Sequence, residues 1–112
     1  MRTREKRYAD YGLTDSKAKE LMAFCRNPDN AEIVRRAVVA ANPLLSDNLF
    51  VSLTEGKGYD RQFRYIYRPP ATKADFYAYR RLTLAVLDIL LREGDSEWED
   101  GGAAARIRHI TR

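Results

Sequence analysis

Apolar residues recur every three or four positions through most of this chain, the period of one face of an α-helix. Ala18, Leu21, Met22 and Cys25 follow that spacing behind Thr14, whose hydroxyl suits a helix N-cap, with Leu13 placed to staple against Ala18. The pattern predicts a first helix over about 15–26. Asn27-Pro28-Asp29-Asn30 reads as a turn carrying a second cap. Beyond it Ile33, Val34, Ala37, Val38 and Ala41 share one face of a second helix over about 29–41, with Arg35 and Arg36 pointing away. Asn42-Pro43 supplies a cap and a first-turn proline for a third helix over about 43–55. That helix should bury Leu45, Leu49, Phe50 and Leu53 and stop at Gly56.

A short fourth helix is expected over about 59–67, with Phe63 and Ile66 as inward anchors, and Pro69-Pro70 must break it. Thr72 then caps a fifth helix running to about residue 92, ahead of Gly94. Its apolar stripe comprises Phe76, Tyr79, Thr83, Val86, Leu87 and Leu90. The expectation is an all-α fold: a compact bundle of about five helices forming one domain over 1–94. Helices four and five, over 57–91, make a helix-turn-helix-like pair. Residues 95–112 are expected to be a loosely ordered, flexible tail, because five acids between Glu93 and Asp100 give way to Gly101-Gly102 and a basic end. The apolar residues of helices two and five, Val38, Ala41, Val86, Leu87, Ile89 and Leu90, are numerous enough to make a homodimer an expectation as well.

Composition narrows the choice of function. At 112 residues, with 45% apolar and 32% charged residues, the chain is an ordinary globular domain. A net charge of +4 suits a nucleic-acid partner without requiring one. The single cysteine, Cys25, excludes an internal disulfide and a multi-cysteine metal site, and its spacing makes it a buried hydrophobe. With one histidine, His109, and no glycine-rich phosphate loop, neither an enzyme nor a cofactor is expected. Asp60 and Asp75 could form a carboxylate pair only if the fold brought them together. No apolar run approaches the roughly 18–20 residues that span a bilayer, and the start lacks the apolar stretch of a signal peptide, so a cytoplasmic protein with no membrane partner is expected. Residues 1–12 read as a mobile basic arm that docks through Tyr8 and Tyr11.

Candidate chemistry concentrates in one place. Five of the seven tyrosines and seven of the twenty lysines and arginines lie between Lys57 and Arg81, against only Asp60 and Asp75. A helix-turn-helix reader needs a bracing helix, a tight turn and a second helix whose first turns face base edges, with flanking cations on phosphates. Lys57, Arg61, Arg64 and Arg68 fall where a bracing helix and turn would meet phosphates. Lys73, Asp75, Tyr77, Arg80 and Arg81 fall where groove contacts would be made. Two features run against the pattern: the turn carries two prolines and no glycine, and Asp75 would repel phosphate unless it pairs with an arginine or reads a cytosine amine.

The stretch Thr72-Lys73-Ala74-Asp75-Phe76-Tyr77-Ala78-Tyr79-Arg80-Arg81 resembles the recognition helix of phage late-transcription regulators of the ArpU-like and RinA-like kind. Those are similar in turn to the helix-turn-helix of region 4 of bacterial sigma factors. The whole chain, with its Tyr8-Ala9-Asp10-Tyr11-Gly12-Leu13 start, resembles small proteins encoded by prophages of Gram-positive bacteria. The resemblance implies a phage or prophage transcription regulator that binds double-stranded DNA. Thr72 would cap the recognition helix, Phe76 would anchor it, and Lys73, Tyr77, Arg80 and Arg81 would face the DNA. The alternative is a phage-encoded inhibitor that uses the same tyrosine- and arginine-rich surface to bind a protein of a host nucleic-acid or defence machine.

Overall fold

Each expected helix is present, and one of them organises the rest. The structure, a computed structural model, describes residues 2–99 and the side chains of residues 2–94. Within these residues the α-helices are α1 (Asp15–Arg26), α2 (Ala31–Ala41), α3 (Ser46–Glu55), α4 (Tyr59–Phe63) and α5 (Lys73–Glu99), and there is no strand. Short 3-10 turns lie at Thr3–Glu5, Tyr8–Tyr11 and Pro28–Asn30. None of the described helices is long and apolar enough to cross a membrane.

The caps act as the residues dictate. Thr14 Oγ1 accepts from Lys17 N–H at 3.0 Å to start α1, and Thr72 Oγ1 accepts from Asp75 N–H at 3.1 Å to start α5. Asn42 Oδ1 accepts from Leu44 N–H at 3.0 Å, which holds residues 43–45 in a turn, so α3 begins three residues after the expected proline start. Gly56 closes α3 at φ 78°, where a Cβ would stand 2.7 Å from an Arg26 guanidinium nitrogen.

α5 is the hub. It packs chiefly against α2, and further against α1, α3, α4 and the N-terminal turns. Phe76, Leu84 and Leu87 on α5 meet Val34 and Val38 of α2, Leu49 and Leu53 of α3 and Cys25 of α1 in one core. Because neighbours surround its first five turns, buried residues extend beyond the expected stripe to Ala78, Leu84 and Ala85. α5 also continues through Gly94 to Glu99, past the expected end near residue 92. A lone glycine weakens a helix by about 1 kcal/mol but does not remove a hydrogen bond as proline does. The remainder of the expected flexible tail, and His109 with it, lies outside the described residues.

One further expectation changes. Residues 2–12 lie folded along α5 instead of forming a mobile arm, with Tyr8 and Tyr11 packed against the core as their docking points. Val38 and Leu87, counted among residues available to a dimer, are fully buried within the single chain, and of that set Ile89 is the most open, about half exposed.

Candidate functional site

α4 is shorter than its sequence pattern implies, and this reshapes the site. It ends at Phe63, and the chain runs as a loop over residues 64–72 before α5 begins. The expected helix pair is therefore joined by a loop well beyond the three or four residues of a tight helix-turn-helix connection. Two features oppose extension past Phe63: Tyr65 and Tyr67 alternate about Ile66 with a period of two, and Pro69-Pro70 has no N–H groups to offer the carbonyls of the preceding turn. Ile66, expected to be an inward anchor, is half exposed.

The base of this loop is firmly tied. Tyr59, Phe63, Phe76 and Tyr77 form an aromatic cluster with ring centroids 4.8–5.8 Å apart. Tyr59 Oη donates to the Ala71 carbonyl at 2.7 Å, which clamps the far end of the loop to α4. Gln62 Nε2 donates to the carbonyls of Asn48 and Lys57 at 3.0 and 2.8 Å, and its Oε1 accepts from Asn48 Nδ2 at 2.9 Å. Ile66 N–H donates to the Phe63 carbonyl at 3.0 Å. The tip, by contrast, stands in solvent. Tyr65 and Tyr67 are 89% and 91% exposed, and Arg61, Arg64 and Arg68 are exposed beside them. Tyrosine rings usually shelter most of their area, so two adjacent ones left in water mark a surface that another molecule can cover.

The other expected contact residues have different roles. Lys73 Nζ donates to Asp60 Oδ2 at 2.9 Å, and that hydrogen bond and the Asp60 charge raise the lysine pKa above its ordinary value. Tyr77 Oη accepts the Tyr59 backbone N–H at 3.0 Å, and Gly58 alone leaves it room, since a Cβ there would come within 2.6 Å. Arg80 Nη1 donates to the buried Ser52 hydroxyl at 3.0 Å while its guanidinium lies 4.8 Å from the Tyr77 ring centroid. Arg81 Nε donates to the Lys6 carbonyl at 2.9 Å, and Nη2 reaches the Arg4 carbonyl at 3.5 Å. Tyr77, Arg80 and Arg81 are half-buried supports of the fold, so the DNA-facing set inferred for the start of α5 does not form a free face.

No family model, curated protein or solved structure matches this chain. The site therefore rests on its own geometry. The two acids expected near it are both engaged: Asp60 by Lys73, and Asp75 by Arg4 at 3.5 Å. Among the described residues no group of three metal-ligating side chains exists, and residues 61–74 contain no acid at all. Arg61, Arg64 and Arg68 make no ion pair with any described acid. Arg64 and Arg68 lie only loosely against Tyr65 and Tyr67, at 6.0 and 5.7 Å from the ring centroids. These contacts are at the outer limit of a cation–π interaction.

Of the expected contact set, then, Arg61, Arg64 and Arg68 are each exposed without an ion pair to a described acid, whereas Tyr77, Arg80 and Arg81 are half-buried with partners inside the fold and Lys73 is held in an exposed ion pair with Asp60. Sequence reading passed over Tyr65 and Tyr67. The signal was present in two rings alternating with Ile66 between arginines, directly before two prolines, a pattern that gives no helix an apolar face.

Proposed function

We propose that this protein binds nucleic acid, as a DNA-binding regulator of the phage or prophage kind, and that its contacts come from residues 61–68 and not from the first turns of α5. The observation that carries this reading is the acid-free stretch from the end of α4 into the loop, where three arginines without an ion pair to any described acid flank two almost fully exposed tyrosines. Arginine forms bidentate bonds with phosphate, and tyrosine both hydrogen-bonds phosphate and stacks on bases. The clamped loop base lowers the ordering cost of binding, because only the tip remains to be fixed.

Titration of labelled genomic DNA fragments at about 50 mM salt, followed by anisotropy, tests the proposal. Arg61→Ala/Arg64→Ala/Arg68→Ala should weaken binding by at least about tenfold and flatten the dependence of log K on log salt by roughly 2–3 units. Unchanged affinity in that triple variant would remove the loop from consideration.

A protein partner is the second reading. Half-exposed Ile66 between the tyrosines, and Leu44, 91% exposed on the α2–α3 turn, supply apolar contact area that phosphate recognition does not use. A stoichiometric protein captured from nuclease-treated host lysate, and lost in the triple variant, would favour it.

A further inference from the structure

The form of nucleic acid follows from where the rings are. Resting on the nucleic-acid reading above, we infer that residues 61–68 are a stacking platform for an unpaired strand, with bases on Tyr65 and Tyr67 and phosphates on Arg61, Arg64 and Arg68. In a duplex the faces of the bases already cover one another. An aromatic side chain gains those faces only by prising a base step apart, at a cost of a few kcal/mol per step. An unpaired strand offers free base faces between successive phosphates, and stacking on an aromatic residue is favourable whatever the base.

Three features of the loop match that ligand. Tyr65 and Tyr67 are each about nine-tenths exposed, with only the loosely placed Arg64 and Arg68 guanidiniums over their rings, so a base can reach them without disturbing the core. The two rings are separated only by Ile66, which matches a ligand with bases at short intervals along its backbone. An arginine stands next to each ring, Arg64 before Tyr65 and Arg68 after Tyr67, and Arg61 lies one helical turn before Arg64. Cations interleaved with rings, and no acid from residue 61 to residue 74, suit a polyanion that carries its own aromatic groups.

Major-groove reading by α5 is disfavoured because, apart from Lys73 in its exposed ion pair, the side chains concerned are tied into the fold. The groups that would enter the groove from α5 are already occupied by Asp60, the Tyr59 amide, Ser52 and the N-terminal carbonyls.

The test uses the full chain and three fluorescein-labelled probes: oligothymidylate and oligouridylate of about 15 nucleotides, and a mixed-sequence duplex of similar length. Both single strands, or one of them, should bind at least about tenfold more tightly than the duplex, the stronger identifying DNA or RNA as the natural form. Tyr65→Ala/Tyr67→Ala should weaken single-strand binding by about tenfold or more, since each stacked base is worth about five- to 150-fold. Tyr65→Phe/Tyr67→Phe, which keeps the rings and loses the hydroxyls, should stay within about threefold of the parent. Unchanged far-ultraviolet circular dichroism shows that the variants remain folded, as substitution at solvent-facing rings implies. A duplex bound as tightly as the single strands, with the alanine pair harmless, overturns the platform and leaves the nucleic-acid reading standing. No binding to any probe overturns both.

Discussion

Tyr77 and Arg80 show how far composition is from contact. Each is of the type, and in the position, to face DNA, yet each completes the interior of the fold. The Tyr77 hydroxyl is the acceptor for a part-buried backbone N–H at Tyr59, the first residue of α4. Tyr77→Phe leaves that N–H without its acceptor, so stability should fall by about 1–2 kcal/mol in urea denaturation. Nucleic-acid affinity should stay unchanged. The outcome separates the two roles, because a contact residue would lose affinity and keep stability. Arg80 could not have been assigned from sequence: its partner is Ser52, 28 positions away, a buried hydroxyl with nothing in its local pattern to announce it.

At the scale of elements, local chemistry carried most of the information. Thr14 and Thr72 as caps, Gly56 as a stop and the spacing of Ile33, Val34, Ala37 and Val38 place α1, α2, α3 and the start of α5 from sequence alone. What could not be read was which helix lies at the centre. A single amphipathic stripe presumes one covered side, and α5 has neighbours on several, so its supposed outer residues became partners for other elements. The N-terminal turns are the clearest case, since Arg81 holds the carbonyls of Lys6 and Arg4 while Arg4 pairs with Asp75. Arg81→Ala should therefore loosen residues 3–11, read as faster amide hydrogen exchange there. The global loss should be about 1.5–3 kcal/mol, the range for hydrogen bonds involving a charged group. Unaltered protection over those residues would show that packing of Tyr8 and Tyr11 suffices without the arginine.

For the molecule as a whole, Cys25 reports on the core. It is 1% exposed, and burial pushes its thiol up to about 12 from an ordinary value near 9. Below pH 9 the thiol is protonated in both the folded and the unfolded chain, so it contributes no pH dependence. Between about 9 and about 12 the unfolded chain loses the proton first, so folding stability should decline by about 1.4 kcal/mol per pH unit. Cys25→Ser or Cys25→Val should reduce that decline in urea midpoints measured across the alkaline range. In the parent at neutral pH a thiol reagent should react no faster than the chain opens.

The loop at 64–72 has one more consequence, for how such a protein changes over time. Its clamps, the Tyr59 hydroxyl and the Gln62 amide, lie at its base, while Tyr65, Tyr67, Arg64 and Arg68 touch almost nothing of the core. If the loop tip is the binding surface proposed above, recognition and folding fall to separate residues, and replacing the tip leaves the core's stability margin intact. Such a surface is free to be retargeted by successive substitutions, each selected on binding alone, while the five helices beneath it stay as they are.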